Sequence, residues 1–365
     1  MANQPMYKKI YDDLAKKLAD HVYLPGDQLP TETELCVHYA VSRITIKKAL
    51  ELLSNNGFID KQRGKGSFVR ATPLVLDNPT RPERTIAYIV TEFYSFSNII
   101  LHTIEQSVSR RGDHLILKTT QGNSLLEKKY IRQLISKVDG FIILPTQNQF
   151  FNEEILKLVV EKIPFVLIDR ILKGIPTVTI STNNTKASEE LIGSLIQDEK
   201  KRIGLVSSKI QGTSSIEGRL NGYETALQKN GLTIDKRFML TNISSTIPHQ
   251  DTEENITSDL QKIKQYLQKN KGKLDAIFAI EYHIALLIER ARQELSDEDL
   301  NAIEIVCFDE PHSIYLPGAR FTHIQQDEQQ IAKIAVDKLY RMFEAPLEPE
   351  TILVDGIFVK KDRSR

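Results

Sequence analysis

Short apolar runs separated by longer amphipathic stretches are the feature of this chain that most constrains its fold. Each run has the length of a strand, and each stretch between two runs is long enough for a helix. Near-continuous apolar strands that alternate with helices are typical of parallel sheets covered on both faces. The runs form two series, namely IAYIV (86–90), HLILK (114–118), GFIIL (140–144) and PFVLI (164–168), then RIGLV (202–206), LDAIF (274–278) and IEIVC (303–307).

The two series predict two α/β lobes, each built on a parallel sheet. Ligands of open parallel sheets bind beyond the carboxyl ends of the strands. The residues that directly follow each predicted strand are therefore the first candidates for a binding site.

The first 70 residues have a different pattern, which predicts three helices and a hairpin. One apolar stripe ends before the turn at Pro25-Gly26-Asp27, and Thr31 with Glu34 can form a capping box that begins a second helix. Ser42 is expected to cap a third helix, which Gly57 ends. The apolar stripes are Tyr7, Ile10, Tyr11, Leu14 and Leu18 in the first helix and Ile46, Ala49, Leu50 and Leu53 in the third.

The hairpin is predicted from FID (58–60) and SFV (67–69), which flank the basic glycine turn QRGKG (62–66). The next segment, ATPLVLDNPTRPERT (71–85), contains prolines, which interrupt both helices and sheet ladders. We therefore expect a first domain over residues 1–70, a linker over 71–85 and a two-lobed domain over 86–365.

Positive charge is concentrated in the third helix and the hairpin. The 48 Lys and Arg of the whole chain balance its 48 Asp and Glu, but basic residues outnumber acidic ones within 41–70. A helix that begins with Ser42-Arg43 can enter the major groove of DNA, where Arg43 can bond N7 and O6 of guanine. The thin turn at 63–65 can approach the backbone or the minor groove. The candidate DNA-binding residues are Thr31, Ser42, Arg43, Ile44, Thr45, Lys47, Arg63, Gly64 and Lys65.

Taken alone, KKALELLSNNG (47–57) could equally be an amphipathic helix with a solvated basic face. The combination of LPTETEL (29–35) with VSRITIKKALELLSNNGFIDKQRGKGSFV (41–69) resembles the winged helix-turn-helix of the GntR family along its whole length. This resemblance implies binding of a double-stranded DNA operator as a homodimer, with Arg43 reading bases and Arg63-Gly64 at the tip of the wing. The chain departs from the family at Thr33, where a basic residue is common, and at Ile44, where Thr is common.

Residues 85–360 resemble the sugar-binding effector domain of LacI-type repressors, which is related to periplasmic sugar-binding proteins. The matching segments are FVLIDR (165–170), RLNGY (219–223), IVCFDE (305–310) and THIQQ (322–326). The resemblance implies a periplasmic-binding-protein-like (type I) domain in which Arg219 and Asp309 hydrogen-bond sugar hydroxyls. A guanidinium donates and a carboxylate accepts, so the chemistry agrees. We expect these two residues on opposite sides of a cleft between the lobes.

Further candidate ligand residues follow the predicted strands. Asn183-Asn184 stands where the resembled family usually has Asp-Asn, and Glu281-Tyr282 stands where it usually has Asn-Asp. Aromatic residues after the first strand could stack on a sugar ring or pack at a sheet end or subunit interface, and Asp169-Arg170 could pair with each other instead. The candidate ligand-binding residues are Glu92, Phe93, Tyr94, Phe96, Asn123, Asp169, Arg170, Asn183, Arg219, Glu281, Tyr282, Asp309 and Gln326.

Other function classes lack support in the sequence. There is no Walker, dinucleotide-binding or nucleophile-elbow motif, so we expect neither an enzyme nor a cofactor. Cys36 and Cys307 are far apart and the histidines lack a ligand spacing, so we expect no metal site. No apolar run approaches the ~20 residues that span a bilayer, and the N-terminus lacks a secretory signal, so we expect a cytoplasmic protein without a membrane partner.

Together these features predict an α/β protein with an N-terminal winged helix-turn-helix that acts as a sugar-responsive transcription regulator. Its expected role is to repress a carbohydrate-utilisation operon until a monosaccharide releases it from DNA. Resemblance to GntR/LacI chimeric regulators of arabinose use indicates L-arabinose as effector, with a deoxyhexose such as fucose next. The alternatives are a phosphorylated sugar or another small metabolite as effector, a ligand-independent architectural DNA-binding protein, and an α/β enzyme with an accessory DNA-binding domain.

Overall fold

The computed structural model describes residues 5–19, 22–24, 26–62, 65–70, 82–92, 95–146, 153–208, 212–311 and 318–361. The chain divides into two compact units, one of residues 1–83 with 109–113 and the other of residues 84–108 with 114–365. Most of the predicted linker, residues 71–81, lies outside the described residues.

The described part of the N-terminal unit has the helices and the hairpin that the sequence predicts. Its elements are α1 (Met6–Ala19), α2 (Glu32–Tyr39), α3 (Arg43–Asn55), β1 (Ile59–Gln62) and β2 (Gly66–Val69). The strands pair antiparallel, from Ile59 opposite Val69 to Gln62 opposite Gly66. The capping box of α2 is present, because the Glu34 amide donates to Thr31 Oγ1 and the Thr31 amide donates to the Glu34 carboxylate. Satisfying these amides fixes where α2 begins.

The predicted apolar stripes form the core of this unit. Ile46, Ala49, Leu50 and Leu53 of α3 are at most 2 % exposed and pack in one cluster with the stripe of α1. On the outer side, Lys48 Nζ lies 4.3 Å from the centroid of the Tyr7 ring, a cation–π contact between the two helices. The remaining face of α3 is left to solvent.

The first lobe of the second unit is built on a parallel sheet whose described strands follow the order β13-β7-β6-β5-β3-β4. These strands are β3 (Thr85–Val90), β4 (His114–Thr119), β5 (Gly140–Ile143), β6 (Phe165–Ile168), β7 (Val178–Thr182) and β13 (Thr351–Val354). Successive side chains of a strand face opposite sides of a sheet. In β3, Ile86, Tyr88 and Val90 accordingly pack in one cluster and Ala87 and Ile89 in another. Burial on both faces explains why the sequence of this strand is continuously apolar.

The second lobe repeats this arrangement on a sheet whose described strands follow the order β14-β12-β11-β10-β8-β9. Its strands are β8 (Ile203–Ser208), β9 (Met239–Ile243), β10 (Ala276–Ala279), β11 (Glu304–Phe308), β12 (Thr322–Gln325) and β14 (Ile357–Val359). They are parallel to their neighbours except for β14, which pairs antiparallel with β12.

Helices cover both sheets. They are α4 (Ser95–Ser109), α5 (Ser124–Leu134), α6 (Glu153–Val160), α7 (Asn184–Gln197), α8 (Ser214–Lys229), α9 (Glu253–Lys269), α10 (Tyr282–Leu295), the short α11 (Glu298–Asn301) and α12 (Glu328–Met342). In the part of the chain that the structure describes, no helix has the length and apolar character needed to span a bilayer.

The chain passes between the lobes at three places within the described residues. It leaves β7 for α7, whose Leu191 packs in the core of the second lobe, and returns from β12 to α12, whose Ala335 packs in the first. The third passage joins β13 to β14. Thr182 Oγ1 donates to Gln326 Oε1 at 2.6 Å and so links the first two passages. The carboxyl ends of the strands in both lobes meet at these passages, and this arrangement positions the site.

Candidate DNA-binding surface and effector cavity

The N-terminus of α3 is fixed by two hydroxyl side chains. Ser42 has extended backbone angles and its Oγ accepts a hydrogen bond from the Thr45 amide at 3.4 Å. The same Oγ lies 2.9 Å from Thr45 Oγ1. This cap satisfies one of the amides that the first turn of a helix leaves free. Thr31 has the same role in α2. Three of the predicted DNA-binding residues, Thr31, Ser42 and Thr45, therefore also fix the N-termini of helices.

Three of the side chains that follow Ser42, those of Arg43, Ile44 and Lys47, are open to solvent. Arg43 is 77 % exposed in its side chain, and its Nε donates to Glu32 Oε2 at 2.8 Å. Ile44 is 80 % exposed, and Lys47 is exposed as well. An ion pair this open to water stabilises little. Arg43 can therefore exchange Glu32 for a base or a phosphate without a large cost.

The wing is held to the rest of its unit by Gln28, whose Nε2 donates to the Lys65 carbonyl at 2.7 Å. Gly66 has a φ of +121°, and a Cβ there would lie 2.4 Å from Gln28 Nε2. The positive φ favours glycine at this position, and a side chain there would also displace the Gln28 amide from the wing. Lys65 is exposed, while the predicted wing-tip residues Arg63 and Gly64 lie outside the described residues.

A cavity of about 150 Å³ lies within the second unit, where the strand ends of the two lobes meet. Nine of the thirteen predicted ligand residues line it, namely Glu92, Phe96, Asp169, Arg170, Arg219, Glu281, Tyr282, Asp309 and Gln326. Phe93 and Tyr94 lie outside the described residues. The other two, Asn123 and Asn183, cap α5 and α7 with their side chains and are not among the described residues that line the cavity.

Arg219 is a buried residue on the side of the cavity that the second lobe forms. It is 6 % exposed, with its Nε bonded to Asn184 Oδ1 at 2.9 Å and its Nη1 to the Ile280 carbonyl at 2.8 Å. Its Nη2 lies 3.4 Å from Asp309 Oδ2, and the guanidinium carbon lies 4.0 Å from the centroid of the Phe308 ring. The expectation that Arg219 and Asp309 face each other across the cleft is wrong. Both belong to the second lobe, since α8 follows β8 and Asp309 follows β11 of the same sheet, and they pair with each other.

Asp309 connects this lobe to the passage between β12 and α12. It has a φ of +64°, which is strained for a residue with a side chain. Its Oδ2 accepts a hydrogen bond from Gln326 Nε2 at 2.8 Å. Gln326 in turn accepts from Thr182 in the other passage. A hydrogen-bonded chain therefore runs from Arg219 through Asp309 and Gln326 to Thr182.

The first lobe places a buried ion pair at the corresponding strand end. Asp169 follows β6 with a φ of +66°, and its Oδ2 lies 3.5 Å from Arg170 Nε. Arg170 Nη1 also donates to the Pro145 carbonyl at 2.5 Å. Burial raises the pKa of Asp169 and lowers the pKa of Arg170. Asp169 and Arg170 therefore pair with each other, which was one of the two alternatives from the sequence. Both residues also line the cavity.

Two glutamates bring carboxylates into the cavity. Glu92 Oε1 accepts a hydrogen bond from the His249 amide of the second lobe at 2.7 Å, while Glu92 Oε2 is buried without a hydrogen-bond partner among the described residues. Glu281 stands at the N-terminus of α10 without capping it, and burial raises the pKa of its carboxyl group. Unpaired buried acceptors are costly and thus mark where a ligand can donate.

A loop between β9 and α9 closes the cavity, and sequence reasoning missed it. Thr246 and Pro248 of this loop line the cavity, and His249 Nε2 lies 2.9 Å from Gln121 Oε1 of the first lobe. Asp259 anchors the loop by accepting from the amides of Ser244 and Ser245 at 2.8 and 2.7 Å. The loop could have been found only through β9, whose sequence MLTNI alternates weakly and was not predicted as a strand. The sequence places Asn184 beside Asn183 at the position of the family's Asp-Asn pair but does not predict that Asn184 holds Arg219.

Two family models match the chain. Residues 6–69 match the model of bacterial regulatory proteins of the gntR family. Residues 85–281, more than half of the chain, match the model of periplasmic binding proteins and the sugar-binding domain of the LacI family.

Individual proteins are similar over most of the chain. The arabinose metabolism transcriptional repressor of Geobacillus stearothermophilus is 27% identical over 356 residues, which cover 93% of this chain and 92% of that protein. The protein of the same name in Halalkalibacterium halodurans is 23% identical over 335 residues, or 89% and 86% of the two chains.

A solved structure shares the fold of the second unit. The Cra transcriptional dual regulator of Pseudomonas putida, in complex with fructose 1-phosphate, superposes with a TM-score of 0.63 at 18% identity and covers 77% of this chain and 100% of that one. The two family models match the same two units that the structure shows. This chain belongs to the family of periplasmic binding proteins and LacI-type sugar-binding domains, here fused to a gntR-family DNA-binding domain, and it is a sugar-responsive transcription regulator rather than an enzyme.

Proposed function

We propose that this protein is a homodimeric, cytoplasmic repressor of a carbohydrate-utilisation operon and that a monosaccharide in the cavity releases it from its operator. L-Arabinose is the first candidate effector, and a deoxyhexose such as fucose is the second. The similarity to two proteins named as repressors of arabinose metabolism, over most of their length, supports this order.

The observation that carries the proposal is the hydrogen-bonded chain from Arg219 through Asp309 to Gln326. Its members line a polar cavity, and its last member lies at a passage between the lobes. A sugar hydroxyl both donates and accepts, so it can bond to guanidinium, carboxylate and amide groups in turn. A ligand bound here therefore acts on the groups that join the two lobes.

The charges of the cavity favour an uncharged sugar over a phosphorylated one. Glu92, Asp169, Glu281 and Asp309 outnumber the guanidinium groups of Arg170 and Arg219. Both arginines already have acceptors within the protein, including the two aspartates. A phosphate dianion would meet the Glu92 carboxylate, which forms no ion pair among the described residues, and bringing like charges together in a buried site is unfavourable.

We assign the ligand contacts to the cavity residues predicted from the sequence, with Thr246 added from the loop between β9 and α9. The aromatic faces of Phe96 and Tyr282 offer apolar surface to a sugar ring. Asn123 and Asn183 are left out, because their side-chain oxygens are used by helix amides.

The DNA-binding half of the proposal places two copies of α3 in successive major grooves of a palindromic operator. Arg43 is the base-reading candidate, and Ser42, Thr45, Lys47 and the wing turn contact phosphates or base edges. The exposed, basic first turn of α3 supports this assignment. We propose residues 1–70 as the DNA-binding domain, 71–85 as the linker and 86–365 as the effector and dimerisation domain.

Release from DNA requires that the sugar bind two lobe arrangements with different affinity. Glu92 can supply this difference, because one of its oxygens holds the opposite lobe through the His249 amide and the other has no hydrogen-bond partner among the described residues. A hydroxyl that donates to the free oxygen would strengthen the closed arrangement. We propose that closure reaches the DNA-binding domain through the linker.

The proposal is tested by fluorescence anisotropy of the purified protein on DNA from upstream of its own gene, at stated salt, with a panel of monosaccharides and sugar phosphates. We expect specific binding that L-arabinose or fucose abolishes and that sugar phosphates leave unchanged. Release by a sugar phosphate alone would contradict the assignment of the effector, and absence of specific DNA binding would contradict the repressor.

A further inference from the structure

Ile44 is an apolar side chain on a polar surface. It belongs to the first turn of α3 and is 80 % exposed, whereas the neighbouring exposed side chains of this turn are Ser42, Arg43 and Lys47. The buried stripe of α3 is complete without it, because Ile46, Ala49, Leu50 and Leu53 fill the core. Ile44 therefore contributes nothing to the packing of the free protein.

The side chain stands where a bound DNA would cover it. Exposed apolar surface is stabilised when a partner removes it from water. In the major groove of B-DNA, the C5 methyl group of thymine is the apolar feature that a side chain can meet. Arg43 precedes Ile44 on the same turn, and its Nε bond to Glu32 ties the guanidinium to the start of α2. Consecutive residues of a helix point about 100° apart, so the two side chains reach different base pairs.

We propose that Ile44 reads the C5 methyl group of a thymine in each half-site of the operator, beside the base that Arg43 reads. This inference rests on the proposed function, since it requires α3 to enter the major groove. It adds a base preference that the proposed function leaves open. Discrimination comes from contact between a branched aliphatic side chain and one methyl group, without a hydrogen bond.

The methyl group can be removed without changing base pairing, because deoxyuridine differs from thymidine only in lacking it. Burying one methylene-sized group changes an affinity about four-fold. Replacing the contacted thymine in one half-site should therefore weaken binding by about four-fold, and replacing it in both half-sites by about 16-fold, when the two contacts are independent.

The experiment first selects binding sites for the full chain from a pool of duplexes with a randomised core. Each thymine of the selected consensus is then replaced by deoxyuridine, one position at a time, and anisotropy at constant salt gives the affinity ratio of the two duplexes. The protein variants are Ile44→Val, which keeps a branched apolar side chain, and Ile44→Ser, which does not. Val37→Ser is the matched control, because Val37 of α2 is 79 % exposed and lies outside α3.

We expect one thymine in each half-site to be sensitive for the native protein, for Ile44→Val and for Val37→Ser, and its ratio to fall to about one for Ile44→Ser. Equal binding of all deoxyuridine duplexes by the native protein would overturn the inference, and so would an unchanged ratio in Ile44→Ser. Neither result would contradict the proposed function as a repressor. A selection that enriches no sequence would overturn both the proposed function and the inference.

Discussion

Arg219 uses all of its nitrogens within the protein, so its replacement has two separable consequences. Arg219→Ala leaves the Asp309 carboxylate and the Ile280 carbonyl without their donor in a buried place. Breaking such a buried pair costs about 3 kcal/mol in the free energy of unfolding. We expect a corresponding fall in the urea midpoint, together with DNA binding that no longer responds to sugar.

The matched control is Arg202→Ala, which removes an arginine from an exposed pair with Asp275 in the same lobe. This variant should keep its sugar response and show no comparable loss of stability. If Arg219→Ala were still released by sugar with unchanged affinity, Arg219 would not be part of the effector site.

Glu328, at the start of α12, makes the free energy of unfolding depend on pH in a predictable direction. Burial raises the pKa of its carboxyl group from 4.5 to about 7. The folded state thus holds this proton more tightly than the unfolded state, so its contribution to stability is complete below pH 4.5 and is lost as the pH rises through 7. Glu328→Gln removes that loss.

We therefore expect Glu328→Gln to gain stability relative to the native protein between pH 5 and pH 8, by up to about 3 kcal/mol. The measurement is urea unfolding of both proteins at the two pH values. A stability difference that stays constant with pH would mean that Glu328 titrates normally in the folded protein.

At the scale of elements, the packing of α7 against α8 depends on a glycine. A Cβ at Gly222 of α8 would lie 2.2 Å from the Thr185 carbonyl oxygen and 2.6 Å from Ser188 Cβ, both in α7. Gly222→Ala must push the helices apart, and overpacking of this kind costs about 1–3 kcal/mol. Thermal denaturation should show a lowered midpoint.

Gly193 is the matched control in α7 itself, because no atom of the described residues lies within 4 Å of a Cβ at this position. Alanine is a better helix former than glycine by about 1 kcal/mol. Gly193→Ala should therefore raise the midpoint. A similar fall of the midpoint in both variants would show that Gly222 is not required for the close packing of α7 against α8.

The elements differ in how far sequence alone could predict them. The strands with continuous apolar runs, such as β3 and β6, are confirmed, because burial on both faces leaves a signal in every residue. Three of the four edge strands, β9, β13 and β14, were not predicted, since their residues are partly exposed and give no comparable run. The loop that closes the cavity was missed for the same reason. The buried strand β7 was missed as well, because the Thr and Ser residues of VTIST interrupt its apolar run.

At the scale of the whole molecule, DNA binding and sugar binding belong to different units and should be separable. Arg43→Ala is expected to abolish specific operator binding, because it removes the exposed guanidinium that we propose reads a base. The same variant should keep native sugar affinity in titration calorimetry. Loss of sugar binding in Arg43→Ala would contradict the proposed division of labour between the units.

The sequence by itself determined the class of each unit and predicted nine of the residues that line the cavity. Periodicity decides which side chains are buried in a helix or strand, and residues after parallel strands must lie at one edge of a sheet. Only the tertiary structure decided how the cavity residues are paired. Arg219 and Asp309 meet because α8 and the end of β11 belong to the same lobe, and Glu92 meets His249 because two lobes approach. Contacts between residues so far apart in sequence depend on how helices and strands pack. The local sequence pattern does not specify this packing.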